Sequence, residues 1–390
     1  MVKDMMQQVS YMEVSNMRKV LIFIRLVIFF TIMFFGIIIL GKIFTPKWKN
    51  GTLSQVDGQD YTINGYYELT KNSIDVLFLG DSSIYKSVSP MEIYQQTGIT
   101  SYNYSVSSAR IYLLYYILED AYKYQKPKVI MMDPLTLFYT KKEVEPERRK
   151  SFDYMRFSKV KHNMINDKFF EFSLKEKLTY YFPLFRYHSR WDNISLSSVK
   201  RTFGNYHSVT KGYIMSTKIN PRNSGFSYMN PSGKKIEMKD YTKKYLDMFV
   251  KFCKDNDIDL VFLGIPDTRA WGYEQNEELK KLVSDYNVKY LDLNNDSYGL
   301  DFMTDTEDKG MHLNLNGSLK ISNEIVKYLK NNYNFEDRRK NSKYQKWNDD
   351  LVKYNELKET RLKDLEYKIE NKIYDVKKQK TTTKNIKDKH

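Results

Sequence analysis

The chain has 390 residues, and its 63 lysines and arginines outnumber its 48 acidic residues to give a net charge of +15. A single cysteine, Cys253, excludes disulfide bonds within the chain and metal sites built on several thiolates. A basic exterior suits nucleic acid, anionic lipid headgroups or anionic wall polymers, but the sequence carries no nucleic-acid-binding motif. We therefore expect no nucleic-acid partner, and without a P-loop, dinucleotide fingerprint or metal-ligand set we predict no cofactor.

The first element is an apolar segment close to the N-terminus. Residues 1–19 are polar and predict a cytoplasmic N-terminus, whereas residues 20–41 are rich in Ile, Phe and Leu and contain one charge, Arg25. This run is long enough to cross a bilayer as a helix, and no small-residue cleavage pattern follows it, so we predict an uncleaved, single-pass membrane anchor. When Arg25 is counted with the N-terminal side, the positive-inside rule favours an extracellular location for the bulk of the chain.

Residues 42–71 predict a polar connector, and beyond it strands and helices alternate. This alternation predicts an α/β fold with a parallel sheet that helices cover on both sides. The predicted strands span residues 75–79, 101–105, 128–132, 259–264 and 288–293. The predicted helices span residues 90–97, 108–124, 241–256, 274–286 and 316–331.

A polar turn follows the first predicted strand. The strand ends at Gly80, and the turn contains Asp81, Ser82 and Ser83. Open α/β sheets bind ligands at the carboxyl ends of their strands, and the helix start behind the turn offers backbone N–H groups to an oxyanion. Ser82 is therefore a candidate nucleophile, and the alternative is an ordinary turn with a polar tip.

Residues 140–235 interrupt the α/β pattern with a basic, aromatic sequence that has no clear period. The run that contains His188, Arg190 and Trp191 is typical of this segment. We expect an insertion over one end of the sheet, whose aromatic and basic side chains bind sugar rings or guide a substrate. The alternative is a helical cap whose aromatic residues form a small core of their own.

A second polar stretch precedes the last predicted helix of the α/β region. His312 lies there in a loop, after Asp305 and Asp308 and before Asn314. A histidine at the rim of a sheet can act as a general base, although a loop histidine is commonly a solvated surface residue. Together the two stretches, Gly80-Asp-Ser and His312-Leu-Asn, resemble the SGNH (GDSL-like) hydrolase and acyltransferase superfamily over residues 72–333.

The resemblance implies a flavodoxin-like three-layer sandwich with a central parallel sheet. It implies that Ser82 is the nucleophile and His312 the general base, and that backbone N–H groups of Ser82 or Ser83 and of Ser105 hold the oxyanion. Ser105 stands where the second block of the family has a glycine. Other candidates for substrate binding are Asp81, Asn103, Asp133, His188, Arg190, Trp191 and Asn314.

Two positions depart from the pattern of the family. The acidic member of the triad normally lies three residues before the base, where this chain has Lys309. Asp308 lies four residues before the base, and a one-residue bulge would restore the arrangement; Asp305 or a Ser–His dyad is the alternative. Asp133 stands near the place of the third-block Asn, and a carboxylate there would repel an oxyanion.

The anchor followed by this domain resembles DltD-like and polysaccharide O-acetylation proteins, which act outside the membrane beside a membrane-bound O-acyltransferase. The resemblance implies an extracytoplasmic serine O-acyltransferase that transfers an acyl group, most simply acetyl, to an exopolysaccharide or cell-wall polymer. Its partners would be the membrane-bound O-acyltransferase, the polymer and the lipid bilayer. The alternatives are D-alanyl transfer to teichoic acid, a surface carbohydrate esterase and a non-catalytic scaffold of a polysaccharide synthesis complex.

The end of the chain has a different character. Residues 334–376 predict a long, charged helix with one thin apolar stripe. This helix either lies on the domain or in solvent, or it is a docking arm for a partner. Residues 377–390 are rich in lysine and predict a disordered tail.

Overall fold

A computed structural model of the chain describes residues 2–47 and 59–375. Predictions for residues 48–58, for Val376 at the end of the apolar stripe and for the tail at 377–390 lie outside the described residues. The chain divides into two compact units. The anchor unit comprises Met1–Lys47 and His162–Asn205, and the sheet unit comprises Trp48–Lys161 and Tyr206–His390.

The structure contains α-helices, β-strands and short 3₁₀ helices. The α-helices are α1 (Val2–Phe44), α2 (Gln59–Tyr67), α3 (Ser82–Ser87), α4 (Pro90–Thr97), α5 (Ile111–Ala121), α6 (Glu145–Phe152), α7 (Lys159–Asn166), α8 (Leu174–Tyr181), α9 (Leu184–Tyr187), α10 (Leu196–Phe203), α11 (Asp240–Asp255), α12 (Tyr273–Tyr286), α13 (Leu315–Asn332) and α14 (Gln345–Glu370). The strands are β1 (Val76–Leu79), β2 (Ser101–Asn103), β3 (Val129–Met132), β4 (Asp259–Gly264) and β5 (Lys289–Asp292). The 3₁₀ helices are Pro134–Leu137, Lys168–Phe170, His188–Asn193, Ser227–Met229, Arg338–Lys340 and Ser342–Tyr344.

The five strands form one parallel sheet in the order β2–β1–β3–β4–β5. Phe78 in β1 pairs with Asn103 in β2 on one side and with Met131 in β3 on the other. The predicted α/β fold with a parallel sheet is therefore confirmed, and each strand lies within one of the five predicted segments. In sheets of this order, successive strands are added on one side of β1 and then, from β3 onward, on the other side. The crevice at the carboxyl ends of β1 and β3 is where such sheets bind ligands.

Both faces of the sheet are covered. Alternate residues of the central strands join a core cluster with α3, α4 and α13, and the strand residues in it are Val76, Phe78, Val129, Met131, Val261 and Leu263. The intervening residues point to the opposite face and are buried as well: Leu77, Leu79, Ile130, Met132, Leu260 and Phe262. Burial on both faces explains why the strands read as continuous apolar runs in the sequence.

The charged C-terminal helix is present as α14 and packs within the sheet unit. Tyr354 is buried, and its hydroxyl lies 2.8 Å from Ser89 Oγ. The Lys358 ammonium lies 2.8 Å from a Glu92 carboxylate oxygen. Before the helix, Arg338 donates two hydrogen bonds to the Asp75 carboxylate, at 2.6 and 2.8 Å. This part of the chain therefore lies back on the domain, which was one of the two interpretations of its sequence.

Two predicted boundaries differ from the structure. The predicted connector at 42–71 contains α2, because the side chains of Ile63, Tyr66 and Tyr67 are buried in an aromatic cluster. The predicted insertion at 140–235 is not one block. Its two ends belong to the sheet unit, where Ile214 N–H donates to Tyr85 O at 2.7 Å, and its middle belongs to the anchor unit.

The anchor unit is built on α1. From Asn16 to Phe44 this helix is long and apolar enough to cross a membrane. Its side chains are exposed from Asn16 to Phe35, and burial begins near its C-terminal end, where Gly41 is buried. The rest of the unit is a series of short helices, which are the end of α7, α8 to α10, and the 3₁₀ helices Lys168–Phe170 and His188–Asn193.

Candidate active site

Ser82 is the first residue of α3, directly after the carboxyl end of β1. The Asp81 side chain caps this helix, because its Oδ1 atom accepts a hydrogen bond from Ser83 N–H at 2.8 Å. Its Oδ2 atom accepts a hydrogen bond from the Tyr139 hydroxyl. A side chain at Gly80 would collide with Ile84 and with the Cβ atom of Asp133, so only glycine allows this close approach. The hydrogen bonds of Asp81 and the close packing at Gly80 therefore fix the turn that presents Ser82.

His312 lies on a narrow loop between β5 and α13. Two backbone hydrogen bonds close the loop, from Glu307 N–H to His312 O at 3.0 Å and from Asn314 N–H to Asp305 O at 3.0 Å. At its tip, Lys309 and Gly310 both have left-handed backbone angles, with φ of +67° and +86°. These two residues turn the chain so that the residues on either side of the tip face each other.

The structure brings Ser82, His312 and Asp308 into one hydrogen-bonded chain. His312 Nε2 lies 2.7 Å from Ser82 Oγ, and His312 Nδ1 lies 2.6 Å from Asp308 Oδ2. The backbone N–H of His312 also donates to Asp308 Oδ1 at 2.7 Å. The left-handed tip gives Asp308 this position although it lies four residues before the histidine.

The alternative carboxylate, Asp305, lies elsewhere. Its Oδ2 atom accepts hydrogen bonds from Asp301 N–H at 2.8 Å and from Lys320 Nζ at 2.7 Å. Asp305 is buried, and these bonds tie the base of the His312 loop to α13. Of the two predicted candidates, Asp308 is therefore the one in contact with the imidazole.

The charged forms of His312 and Asp308 stabilise each other. Burial lowers the pKa of His312, but the hydrogen bond to Asp308 and the charges of Asp308 and Glu307 outweigh it and raise the pKa above its ordinary value. Burial raises the pKa of Asp308, but its bonds and charge interaction with His312 outweigh that effect and lower the pKa. The site therefore stabilises an imidazolium beside a carboxylate, which is the state that forms when histidine takes a proton from serine.

A salt bridge connects the two halves of the site. Lys86 lies on α3, one turn after the nucleophile, and its Nζ atom lies 3.0 Å from Glu307 Oε1. Glu307 belongs to the His312 loop. Both side chains are largely shielded from solvent, so this pair fixes the distance between the helix that carries Ser82 and the loop that carries His312.

Two of the predicted oxyanion donors do not fit this role. Ser83 N–H is occupied by Asp81. Tyr104 N–H and Val106 N–H both donate towards β1, to Phe78 O and Gly80 O, so the intervening N–H of Ser105 points away from β1. The structure therefore gives the Ser83 N–H a partner within the turn and directs the Ser105 N–H away from β1, which the sequence does not show.

Two other N–H groups are available at this edge. Within the part of the chain that the structure describes, the N–H groups of Ser82 and Ser108 have no hydrogen-bond partner. Ser108 lies in the loop after β2, two residues beyond the last ladder bond to β1, and has a left-handed φ of +56°. That conformation is one that glycine adopts without strain.

Burial and a neighbouring charge oppose ionisation of Asp133. It follows β3, and its Oδ1 atom accepts a hydrogen bond from Leu135 N–H at 2.9 Å. Its Oδ2 atom is buried and has no hydrogen-bond partner among residues 2–47 and 59–375. Burial, and then the nearby Asp81 charge, raise the pKa of Asp133 well above its usual value. Burial and the Asp81 charge therefore both favour the protonated form of Asp133, which repels an oxyanion less than a carboxylate does.

The remaining predicted residues serve structure or lie in the other unit. Asn103 is fully buried and donates to Val88 O at 2.7 Å, and Asn314 is buried and caps α13 while donating to Thr304 O at 2.7 Å. Both amides are buried and donate to backbone carbonyl groups, so in this structure they support the fold. His188, Arg190 and Trp191 belong to the anchor unit.

Sequence reasoning missed four residues around the site. They are Tyr139, which holds Asp81; Asp267, whose pKa burial raises to about 6; Lys86; and Ser108. Asp267 follows β4. Open α/β sheets bind ligands at the carboxyl ends of their strands, so the argument that selected Ser82 after β1 also selects Asp267. No sequence signal identifies Tyr139 or Lys86, because their partners are distant in the chain.

One group of side chains has the composition of a metal site. The ligand atoms of Glu307, Asp308 and His312 lie within 4.8 Å of one another. However, Glu307 is paired with Lys86, and Asp308 shares a hydrogen bond with the imidazole. A cation would have to displace the lysine and break the Asp308–His312 bond, so these donors fit a proton-transfer chain better than a metal.

The site therefore contains a serine hydroxyl in contact with an imidazole that a carboxylate orients, which is the arrangement of nucleophilic acyl-transfer enzymes. No protein-family model matches the chain, and no curated protein matches its sequence. The chemical interpretation consequently depends on the geometry of the site.

Proposed function

We propose that the protein is a serine acyl-transfer enzyme of the SGNH type, with Ser82 as nucleophile, His312 as general base and Asp308 as the orienting carboxylate. The observation that carries the proposal is the hydrogen-bonded chain from Ser82 Oγ through His312 to Asp308. The parallel sheet and its strand order are compatible with the flavodoxin-like three-layer sandwich of that superfamily.

The reaction has two stages. Ser82 Oγ attacks the acyl carbonyl of an ester or thioester donor while His312 Nε2 takes its proton. The tetrahedral intermediate collapses to an acyl-serine, and His312 returns the proton to the leaving group. An acceptor hydroxyl then gives its proton to His312, attacks the acyl-serine and releases Ser82 in its original state.

The developing oxyanion requires fixed donors. In this proposal they are the N–H groups of Ser82 and Ser108, which flank the carboxyl end of β1. Removal of one such donor costs roughly 3–4 kcal/mol in well-studied enzymes. Burial and the Asp81 charge favour the protonated form of Asp133, which weakens its repulsion of the oxyanion.

We extend the proposal to the substrate class. The protein would be anchored in the cell membrane by α1, with the sheet unit on the extracellular side. It would transfer an acyl group, most simply acetyl, to a hydroxyl of an exopolysaccharide or wall polymer, with a membrane-bound O-acyltransferase as the source of the acyl group. The apolar length of α1 and the net charge of +15 support a site of action near anionic lipids and polymers.

The test uses the full chain in lipid nanodiscs and an activated acetyl ester such as p-nitrophenyl acetate. We expect a burst of nitrophenol equal to the enzyme concentration, an acetyl adduct on Ser82, and loss of both in Ser82→Ala. The matched control is Ser87→Ala, because Ser87 lies at the other end of α3 and its buried hydroxyl has no hydrogen-bond partner among the described residues. Ser87→Ala should therefore react like the natural protein.

The acceptor is tested in the same reaction. If the protein is a transferase, added oligosaccharide accelerates loss of the adduct and acquires the acetyl group. If water alone removes the acetyl group at an unchanged rate, the protein is an esterase. Equal turnover by Ser82→Ala and the natural protein would contradict the proposed nucleophile.

A further inference from the structure

The anchor unit exposes a group of large apolar side chains outside α1. They lie on α8, α9, α10 and the 3₁₀ helix between α9 and α10: Leu174, Leu178, Phe185, Trp191, Leu196 and Phe203. Leu196 is 71% exposed, Trp191 69% and Phe203 62%. Exposed apolar side chains concentrated in one segment mark a surface that contacts another apolar medium.

The position of this segment along α1 indicates what that medium is. The rings of Phe34 and Phe182 contact each other with centroids 6.2 Å apart, and a side chain at Gly41 would touch Pro183 and Leu184. Phe34 lies about two turns before Gly41, so the segment runs beside the last ~10 Å of the apolar part of α1. A residue packed at that depth on a membrane-spanning helix lies at the level of the acyl chains.

The contact between this segment and α1 is polar at the C-terminal end of α1. The Arg190 guanidinium donates to Phe44 O, at the residue where α1 ends. The segment also carries Arg186, Lys200 and Arg201, whose long side chains can reach phosphate groups while their carbons stay in an apolar layer. Trp191 has the amphipathic ring that is enriched at membrane–water interfaces.

Helix α10 has the two-sided pattern of an interfacial helix. Leu196, Val199 and Phe203 recur at three- and four-residue steps and so share one face, while Ser198 and Arg201 lie on the opposite face. Helices of this kind lie in the membrane plane with the apolar face about 5–10 Å into the boundary between headgroups and acyl chains. That depth agrees with the contact between Phe182 and Phe34.

We propose that residues 174–203 form a second membrane-contacting element, which lies in the lipid interface beside α1 and inserts Trp191, Leu196 and Phe203 between lipid molecules. The proposal rests on the proposed membrane anchoring by α1. The occupant of this surface is phospholipid, because the segment runs along α1 at the depth of its apolar span and carries cations at the end of that span.

The functional consequence concerns the anchor. A single helix leaves the attached unit free to rotate and tilt, whereas an interfacial segment packed on the same helix fixes the chain where it leaves the membrane. The proposed element therefore sets the height of the residues that follow α1 above the lipid surface.

The test measures the depth of single spin labels on the full chain in nanodiscs of phosphatidylcholine and phosphatidylglycerol. The background is Cys253→Ala, which removes the single cysteine of the chain. Labels are placed one at a time by Leu196→Cys, Phe203→Cys, Ser197→Cys and Phe29→Cys. Thermal unfolding of each labelled protein verifies that it is folded. Oxygen partitions into lipid and a nickel chelate stays in water, so the ratio of their collision rates reports depth.

We expect the labels at Leu196 and Phe203 to collide severalfold more with oxygen than with nickel, like the label at Phe29 inside α1. Ser197 is exposed on α10 about 100° from Leu196 and should collide mainly with nickel. Nickel accessibility at Leu196 and Phe203 equal to that at Ser197 would overturn the proposal. Protection of these two labels from both reagents would also overturn it, since it would show that protein covers the face. Nickel accessibility at Phe29 would overturn the anchor itself, whereas oxygen accessibility there with water exposure on α10 would overturn the interfacial element alone.

Discussion

Among its described residues, the sheet unit contains two histidine–aspartate pairs with the same nitrogen–oxygen distance and different surroundings. His312 Nδ1 lies 2.6 Å from Asp308 Oδ2, and His207 Nε2 lies 2.6 Å from Asp350 Oδ1. The two pairs differ in their third partner. His312 uses its second nitrogen to contact the Ser82 hydroxyl, whereas Asp350 uses its second oxygen to bind the Lys211 ammonium.

This third partner determines what each pair can do. Lys211 is buried, and its ammonium lies 4.7 Å from the centre of the Trp347 ring. Asp350 therefore neutralises a buried cation and fastens α14 to the rest of the sheet unit. In the other pair Asp308 directs both of its carboxylate oxygens to His312, so its charge acts on the imidazole and, through it, on the hydroxyl. Identical side chains thus hold the fold together in one place and prepare a nucleophile in the other.

The largest expected effect separates the two histidines. His312→Gln should lower kcat for acetyl-ester turnover by at least about 10³-fold, because the serine loses its base. His207→Gln should leave kcat near that of the natural protein and lower the free energy of unfolding by about 1 kcal/mol, the value of one hydrogen bond. Turnover assays and urea unfolding of both variants provide the measurement. Equal losses of turnover would contradict the distinction.

The aspartates should separate in the same way. Asp308→Asn should reduce kcat on the order of 10²–10⁴-fold, because the amide holds the imidazole in the wrong tautomer. Asp350→Asn should instead lower the free energy of unfolding by about 3–5 kcal/mol, because it leaves the buried Lys211 charge unpaired. This distinction is contradicted if Asp350→Asn has the same free energy of unfolding as the natural protein. It is also contradicted if Asp308→Asn keeps full turnover.

The pH dependence of turnover sharpens the comparison further. His312 acts as a base only when it is neutral, so turnover should be lost as the pH falls through its pKa. Because Asp308 and Glu307 raise the pKa of His312 above 6.5, the midpoint of the natural protein should lie above pH 6.5. Residual turnover of Asp308→Asn should have a midpoint at lower pH, whereas His207→Gln should not move the midpoint. A midpoint that is the same in all three proteins would show that another group limits turnover.

The smallest expected effect concerns Asp133, a buried carboxyl group that lies near Asp81. Its folded pKa is raised, so ionisation of the unfolded chain favours unfolding from about pH 3.8 up to the folded pKa. Asp133→Asn removes this effect and should stabilise the protein at pH 7 by about 1–2 kcal/mol, the scale of one buried polar group. Below pH 3.8 the two proteins should be equally stable. Thermal unfolding at pH 3.5 and pH 7 measures the difference, and destabilisation at pH 7 would show that Asp133 is charged.

The parts of this molecule that the sequence predicts well are those in which local pattern and burial agree. The central strands β1, β3 and β4 are predictable because buried parallel strands are continuous apolar runs. Ser82 was identified because it follows such a strand, and His312 because it lies in a polar loop before a periodic helix. In both cases the signal lies within about ten residues of the side chain.

The parts that the sequence does not predict depend on contacts between distant residues. The choice of Asp308 over Asp305 depends on two left-handed residues at the loop tip, and the direction of the Ser105 N–H depends on strand register. The raised pKa of Asp133 follows from its burial and from the Asp81 carboxylate in the turn after β1. The roles of His207 and Lys211 depend on Asp350 in a helix far along the chain. Each of these facts is set by tertiary packing, which spacing alone does not reveal.

The most direct test of the central claim is the reaction of the full chain with a fluorophosphonate probe, which labels serine residues activated by a histidine. The account predicts one label per chain, on the peptide that contains Ser82. It also predicts loss of that label in Ser82→Ala, strong reduction in His312→Gln and normal labelling in His207→Gln. Labelling of another serine, or no labelling of a protein that unfolds cooperatively, would contradict the claim that Ser82, His312 and Asp308 form a working nucleophilic site.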